Sequence, residues 1–415
     1  MLKKVDQTHD ARDIAQVAVP ESMLADPDRF GGRRDGGCRI GTLHLREGRV
    51  AGMSASAELA KCMVLPKLTE PHVHLDKCHT IERLGPIGGD LSAAVAAQMK
   101  DKARWSAEDL ETRMRRGLVE LARAGCGIVR THIDWREIEA PPLAWEVACS
   151  LRDDAQALGI ELQIAALTGI DQMAKAGFAE AVARRIAADQ GVLGAFILHH
   201  DQRKEGLANC FTAADTHGLV LDFHVDEGLD PSLDGLELIV DTARETAFEG
   251  PVLCGHACSL ASRTDTLPKV AEGLAECGIS VVALPTTNLY LQGRGNGTPT
   301  QRGLTMLHEL GAAGVNTALG SDNVRDAFCP VGRHDPMNSL HLAVLTAHLD
   351  PPLNDHLPMI TNAAARALGV NERKVDSCAS RDLILLDAPD LSTVLANGTR
   401  PTRLTDFTEG ALPHG

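Results

Sequence analysis

The chain has 415 residues, 44% hydrophobic and 23% charged, a balance that excludes wholesale disorder and leaves room for one large barrel plus a smaller domain. A net charge of −15 and only 3% aromatic residues argue against a general phosphate-backbone binder or a stacking platform for single-stranded nucleic acid. The 11 cysteines, an odd number, read as reduced thiols and predict a cytoplasmic location. No apolar run reaches the ~20 residues of a membrane span. The opening MLKKVDQTHDARD turns acidic before any apolar core, unlike a signal peptide.

In chain order, residues 1–30 show weak periodicity and are expected to be partly disordered. Residues 38–52, CRIGTLHLREGRVAG, alternate around a turn and predict a β-hairpin. From residue 67 onward, eight β-rich runs follow: 67–72, 127–135, 161–167, 192–199, 220–227, 252–258, 280–287 and 316–323. Helical candidates lie between them at 106–124, 143–157, 174–190, 205–217, 232–249, 259–277 and 302–313, and a last one follows at 337–349. The first of these opens with Ser-Ala-Glu-Asp, an N-cap with acidic first-turn residues, and several end in glycine. Residues 382–387, DLILLD, predict one more short strand.

Alternating β and α runs imply a parallel sheet with crossover helices, and eight such units imply a (β/α)₈ TIM barrel. An open doubly wound sheet is the runner-up, but the glycine-rich phosphate loop it usually carries after its first strand is missing from the sequence. The expected organisation is a barrel over residues 66–365 and a small β-sandwich domain contributed by residues 1–65 and 366–415.

Catalytic groups of such barrels sit at the C-terminal ends of the strands. The first predicted strand ends in Glu-Pro-His72-Val-His74-Leu-Asp76-Lys77, the fifth in His224-Val-Asp226-Glu227, the sixth in Gly-His256-Ala-Cys258 and the eighth in Gly-Ser-Asp322-Asn323. Residues two apart on a strand face the same side, so His72 and His74 can both point into the barrel mouth and share one metal. A third imidazole and a carboxylate complete a nitrogen-rich site suited to Zn²⁺ or Fe²⁺, which would lower the pKa of a bound water. Each residue also has a plainer reading. A lone strand-end histidine is usually a polar residue near a loop, Glu227 could be a surface carboxylate on the next helix, and Asp322 could be an N-cap. The four strand ends together, in order, favour the metal site.

At these residues the sequence resembles the amidohydrolase superfamily, and within it cytosine deaminase and its relatives. The segments that carry the resemblance are LTEPHVHLDK, VRTHIDW, ELQIAAL, HVDE, NLYLQGR, PTQRG and GSDNVRDAFCPVG. The resemblance implies His72, His74, His224 and Asp322 as metal ligands, Glu227 as proton shuttle, and His256 as the group that orients hydroxide. Asp322 is implied to take the water's proton as well. The fourth predicted strand, VLGAFILHH, has neither the lysine nor the glutamate that bridges two metals in other members. One divalent ion per chain is therefore expected, Zn²⁺ or Fe²⁺, with His199 and His200 near the pocket.

The implied activity is hydrolytic deamination of a small nitrogen heterocycle by a metal-activated hydroxide. Cyclic amide or N-alkylamine C–N hydrolysis on the same scaffold is the alternative, as in N-isopropylammelide amidohydrolase. A metal-binding barrel without catalysis is disfavoured because Glu227 and His256 are both present. Cytosine deaminases carry a glutamine after the third strand that reads the pyrimidine edge; here Gln172 is the nearest candidate, about one helical turn late. Asn323 and Phe328 stand where the relatives tend to have aspartate and tryptophan, and asparagine offers a donor as well as an acceptor. Cytosine-like pyrimidines, aminotriazines, pterins and small cyclic guanidines are thus all candidate substrates. Lys77 either holds an anionic substrate group or pairs with Asp76. Gln292 and Arg294 could reach the ligand, and Asp134 reads as structural. Cys78, Cys254, Cys258 and Cys329 read as packing residues. The expected partners are a small heterocycle and, in some assemblies, further copies of the chain.

Overall fold

The computed structural model describes residues 11–85, 87–136, 141–295 and 297–406. Five strands come first: β1 (Arg12–Pro20), β2 (Arg33–Asp35), β3 (Cys38–Arg46), β4 (Arg49–Ala55) and β5 (Cys62–Pro66). Eight more follow: β6 (Leu68–Val73), β7 (Cys126–Asp134), β8 (Glu161–Gly169), β9 (Val192–Ile197), β10 (Leu221–Val225), β11 (Val252–His256), β12 (Ser280–Ala283) and β13 (Thr317–Leu319). The last two are β14 (Leu383–Leu386) and β15 (Pro401–Arg403).

β6 to β13 form one sheet in sequential order, and every paired neighbour is parallel. A parallel bridge between Val73 and Asp322 brings the two edges together, with the N–H of Asp322 donating to the carbonyl of His72 at 2.8 Å. This is the expected TIM barrel. Its N-terminal end is plugged by apolar side chains, Ile128, Leu253, Val282 and Ala318 from the strands against Ala364, Ala365 and Leu368 of the segment around the helix Asn362–Ala367. With the lower half sealed, polar chemistry is confined to the upper half.

The small domain draws on both ends of the chain, in the strand order β15-β14-β5-β1-β3-β2, with β4 also on β3. Hydrogen bonds join all seven strands in one sheet, where a sandwich has two separate ones. β3 accounts for this: β1 runs along one side of it, and β2 and β4 share the other. The hairpin expected at 38–52 is β3–β4, and the strand expected at 382–387 is β14.

Three expectations are corrected. Partial disorder expected over residues 1–30 does not hold for residues 11–30, where β1 is an interior strand, antiparallel to β3 and parallel to β5, while residues 1–10 lie outside the described residues. A bulge between Ile14 and Val17, with Gln16 at φ +57°, puts both flanking apolar residues in the core and breaks the alternation. The run 280–287 is a strand only to Ala283, because Pro285 opens the helix Pro285–Leu291. The run 316–323 keeps only Thr317–Leu319 as strand before the chain turns into the mouth.

Helices follow the predicted positions with local breaks. Ser106 caps Ala107–Arg123, accepting from the N–H of Asp109 at 3.2 Å. The stretch 143–157 is two helices, Leu143–Ser150 and Arg152–Ala157. The stretch 259–277 splits into a 3₁₀ turn at Cys258–Ser262 and a helix, Leu267–Glu276, with Pro268 in its first turn. The helix Leu91–Lys102 was not anticipated. Its Ala94 clusters with Leu291, Ala327 and Phe328.

Candidate active site and metal centre

The barrel interior is layered. Above the apolar plug, Arg130 of β7 donates to Asp222 of β10 at 2.8 Å and to the carbonyl of Leu368 at 3.0 Å. β8 and β9 separate these two strands in the sheet, so the ion pair crosses the barrel interior. His132 Nε2 lies 3.0 Å from the other Asp222 oxygen. All three side chains are fully buried. Burial pushes the Asp222 carboxyl up, but His132 and Arg130 outweigh it and hold the group below the ordinary carboxylate range.

The next layer is imidazole. The His72 ring stands 4.0 Å from His132 and 4.4 Å from His224, centroid to centroid. Two glycines make room for it. A Cβ on Gly255 would meet His72 Cε1 at 3.1 Å, and one on Gly320 would meet His72 Cβ at 3.0 Å. His74 Nε2 lies 3.1 Å from His224 Nε2 and 3.2 Å from Asp322 Oδ1, and His72 Nε2 lies 3.6 Å from that same oxygen. The four residues of the expected ligand set thus converge from β6, β10 and the turn after β13.

The backbone at these strand ends is unusual. Asp226, His256 and Asp322 all have positive φ, at +53°, +72° and +59°. Left-handed backbone costs non-glycine residues free energy, and such residues cluster where a site over-determines them. Here the turn ends the strand alternation. Asp226 is held in place by the N–H groups of Gly235 at 2.9 Å and Leu236 at 3.4 Å, by Ser259 Oγ at 3.2 Å and by Arg263 at 3.1 Å.

Glu227 Oε2 stands 3.6 Å from His256 Nε2. His256 Nδ1 lies 3.0 Å from Asn288 Oδ1, which assigns the ring proton to Nδ1 and leaves Nε2 toward the mouth. Burial raises the Glu227 carboxyl, and His256 opposes part of that rise. Asp322 is also pushed up by burial, but His74, His256 and Lys77 hold it below its ordinary value.

The donor set fits a divalent cation. Burial, then neighbouring charge, pushes His72 and His224 well below the ordinary imidazole value, and His74 down to about 4. Neutral imidazoles and an ionised carboxylate are the ligand forms. His72 Nε2, His256 Nε2 and both Asp322 oxygens are buried without a hydrogen-bond partner. Buried polar atoms left unpaired are costly unless something else satisfies them. His72, His132, Asp222 and His224 form a second overlapping cluster just below.

The residues expected to bind substrate are more varied. Lys77 Nζ is buried, 3.1 Å from Asp134 Oδ1 and 3.2 Å from His74 Nδ1, and 5.4 Å from the centroid of Phe328. Its carboxylate partner is therefore Asp134, which also contacts Lys102. Asn323 donates to Asp326 at 2.7 Å. Gln292 is buried, with an unpartnered Nε2. Gln172 spends its amide locally, accepting from the N–H of Gly169 at 3.3 Å and donating to the carbonyl of Arg136 at 2.6 Å. Arg294 stacks over Tyr290 at 4.4 Å, and His199 is an exposed neighbour of Ser232. The four mouth cysteines considered earlier are all buried, with thiols pushed up by burial.

Sequence reasoning missed Arg130, His132, Asp222 and Asn288. The first two were findable: in VRTHIDW, alternate residues 130, 132 and 134 are ionisable and sit between Val129, Thr131 and Ile133. Asn288 lies one residue past the run 280–287 that reads as a strand, so its place on the helix Pro285–Leu291 was not foreseen.

The amidohydrolase family pattern matches residues 84–400. A pterin deaminase from Rhizobium rhizogenes is 36% identical over 354 residues, covering 83% of this chain and 80% of that protein. An N-isopropylammelide isopropyl amidohydrolase from a Pseudomonas species is 24% identical, over 79% of this chain and 80% of that one. The crystal structure of 5-methylcytosine deaminase from Klebsiella pneumoniae with 5-fluorocytosine superposes with a TM-score of 0.77 at 25% identity, covering 95% and 96% of the two chains. Barrel, layered histidines and whole-length similarity lead to one assignment: the chain belongs to the amidohydrolase family, in the group related to cytosine deaminase.

Proposed function

We propose that this protein hydrolyses the exocyclic amino group of a pterin-like heterocycle, releasing ammonia. Membership in the family makes it a hydrolase of carbon–nitrogen bonds other than peptide bonds, and its relatives make it a deaminase of heterocycles. The observation that carries the reading is the pairing of Glu227 and His256 at 3.6 Å beside the converged donors of His72, His74, His224 and Asp322. Those four residues would hold one divalent cation, Zn²⁺ or Fe²⁺, whose role is to acidify water at neutral pH.

The chain's own groups supply the rest. Burial raises the pKa of Glu227, a shift in the direction that favours its carrying a proton and giving it up. Glu227 hands that proton to the ring nitrogen beside the attacked carbon, is reloaded with the water proton that Asp322 accepts, gives that second proton to the departing amine, and regains the proton of the added hydroxyl as the ring carbonyl forms. His256, its Nδ1 proton held by Asn288, presents the Nε2 lone pair as an acceptor that orients the attacking water. Asp322 accepts the proton of the attacking water. Water and the amidine unit, C(NH₂)=N, become a ring amide and ammonia, so atoms and charge balance.

The choice of a pterin over cytosine rests on two observations. The more similar of the two curated relatives is a pterin deaminase. Gln172, the nearest residue to the pyrimidine-reading glutamine, has both ends of its amide engaged by backbone. A site lacking that paired group discriminates rings differently.

The test is ammonia release from a panel of pterins, cytosine, isocytosine, aminotriazines and creatinine-like rings, on protein reconstituted separately with Zn²⁺ and Fe²⁺. Turnover of pterins above the other rings supports the proposal. Release of an alkylamine, or ring opening without ammonia, moves the reading to C–N hydrolysis of N-alkylamines or cyclic amides.

A further inference from the structure

A second group of metal-type donors lies apart from the active site. His79 follows β6, Glu120 sits on the helix Ala107–Arg123, and His334 precedes the helix Pro336–Thr346. His79 Nε2 and His334 Nδ1 approach the same oxygen, Glu120 Oε2, at 3.1 and 2.8 Å. The two rings are 5.9 Å apart and inclined at 64°. We propose that His79, Glu120 and His334 form a second metal site, specific for a borderline cation such as Zn²⁺.

Three features support this. The donor atoms all lie within 4.8 Å of one another, and bonds of ~2.0–2.2 Å at near-tetrahedral angles would set them ~3.3–3.6 Å apart, so opening the two contacts to Glu120 by a few tenths of an ångström would seat the ion. Two imidazoles and one carboxylate are a recurrent zinc donor set that leaves a fourth position open. The carboxylate is oriented for the task, because Arg116 Nε donates to the other oxygen, Oε1, at 3.3 Å and leaves Oε2 to face both rings.

An entry path exists. The side chains of His79 and His334 are 2% and 0% exposed, and that of Glu120 is 33% exposed. Glu120 and His334 line a cleft of about 800 Å³ that also presents Arg123, Arg325, Arg333 and Arg400. The open position would therefore face a cationic cleft, and the fourth ligand would be water or a small anion. The site also ties together three segments of separate origin, and two of them flank residues of the active site: His79 lies five residues beyond His74, and His334 twelve beyond Asp322. Occupancy stabilises that junction, since a ligand that binds only the folded state raises its stability.

The test uses the full chain, stripped of metal, titrated with Zn²⁺ alone and counted by elemental analysis after dialysis. Wild type should retain one more zinc per chain than Glu120→Gln or His334→Gln, and zinc should raise its Tm by more than it raises theirs. Asp322→Ala, which addresses the active site, should keep the extra ion. Circular dichroism of the two metal-free variants controls for folding. Equal zinc counts and equal zinc-dependent Tm shifts in wild type and both variants would make the triad a hydrogen-bonded clamp and overturn the proposal.

Discussion

Asp322 donates its backbone N–H to the carbonyl of His72 at 2.8 Å, so one hydrogen bond both helps close the barrel and sets the spacing of two proposed ligands. Glu70 reinforces the seam: its carboxylate accepts from the N–H of His72 at 3.2 Å and from the N–H and Oγ of Ser321 at 3.0 and 2.6 Å. The donors are thereby fixed by main chain rather than by long side chains. Asp322→Ala should keep the seam, because the bond is made by backbone, yet lose metal and activity together. Near-wild-type metal content in a folded, inactive Asp322→Ala would instead give the residue a purely catalytic role.

Glu227→Gln removes the proposed proton carrier and none of the proposed ligands. Its metal content should match wild type while kcat falls ~10²–10⁴-fold, the usual size of a lost general acid–base contribution. Steady-state ammonia release and elemental analysis on one sample decide it; wild-type-like turnover would sink the mechanism.

Asp222→Ala would leave Arg130 buried without its carboxylate. Breaking a buried pair from one side costs ~3–5 kcal/mol, far more than the pair itself contributes. Urea unfolding should show that loss. Any protein that folds should bind metal more weakly, because His132 loses the group 3.0 Å from its Nε2 and stands against His72.

Gly255→Ala places a methyl 3.1 Å from His72 Cε1. The ring must shift by tenths of an ångström, and sites of this kind are sensitive to displacements of that order. Activity should fall ~10-fold or more, with a Tm close to wild type. An unchanged kcat/KM would show that His72 has slack.

Asp326 carries a pH signature. Burial pushes its carboxyl up to about 7, despite N–H donors from Phe328 and Cys329 at 2.9 and 3.0 Å and from Asn323 at 2.7 Å. An unfolded aspartate titrates near ~4. Between those values the folded state holds a proton that the unfolded state has released, so stability falls as pH rises from ~4 to ~7, by at most ~1.4 kcal/mol per pH unit. Asp326→Asn should flatten that slope relative to wild type in urea titrations at pH 5 and pH 8. Parallel slopes would mean that Asp326 ionises freely in the folded protein.

The barrel was legible in the sequence because crossover helices impose a regular alternation, and His72 and His74 were legible because period two is built into a strand. What escaped were local departures from period. The bulge at Ile14–Val17 disguised β1. Pro285 turned an apparent strand into the helix that carries Asn288 to His256. Partnerships across the barrel interior, such as Arg130 with Asp222, depend on three-dimensional closure and leave only a polar residue at an apolar position as their trace. Gln172 shows the opposite failure: a residue of the right type close to the right place, with its amide engaged by backbone.

The pairing of β5 with β14 has a consequence for how the chain is made. On the ribosome, Cys62–Pro66 emerges with the whole barrel still to be translated before Leu383–Leu386 can cover its edge. At ~10 residues per second that interval is about half a minute. During it the β5 edge is an apolar, unpaired template for neighbouring nascent chains. Any early stop that removes Leu383–Leu386 and Pro401–Arg403 would make the exposure permanent, so such products should accumulate as aggregates even though every proposed active-site residue has been translated.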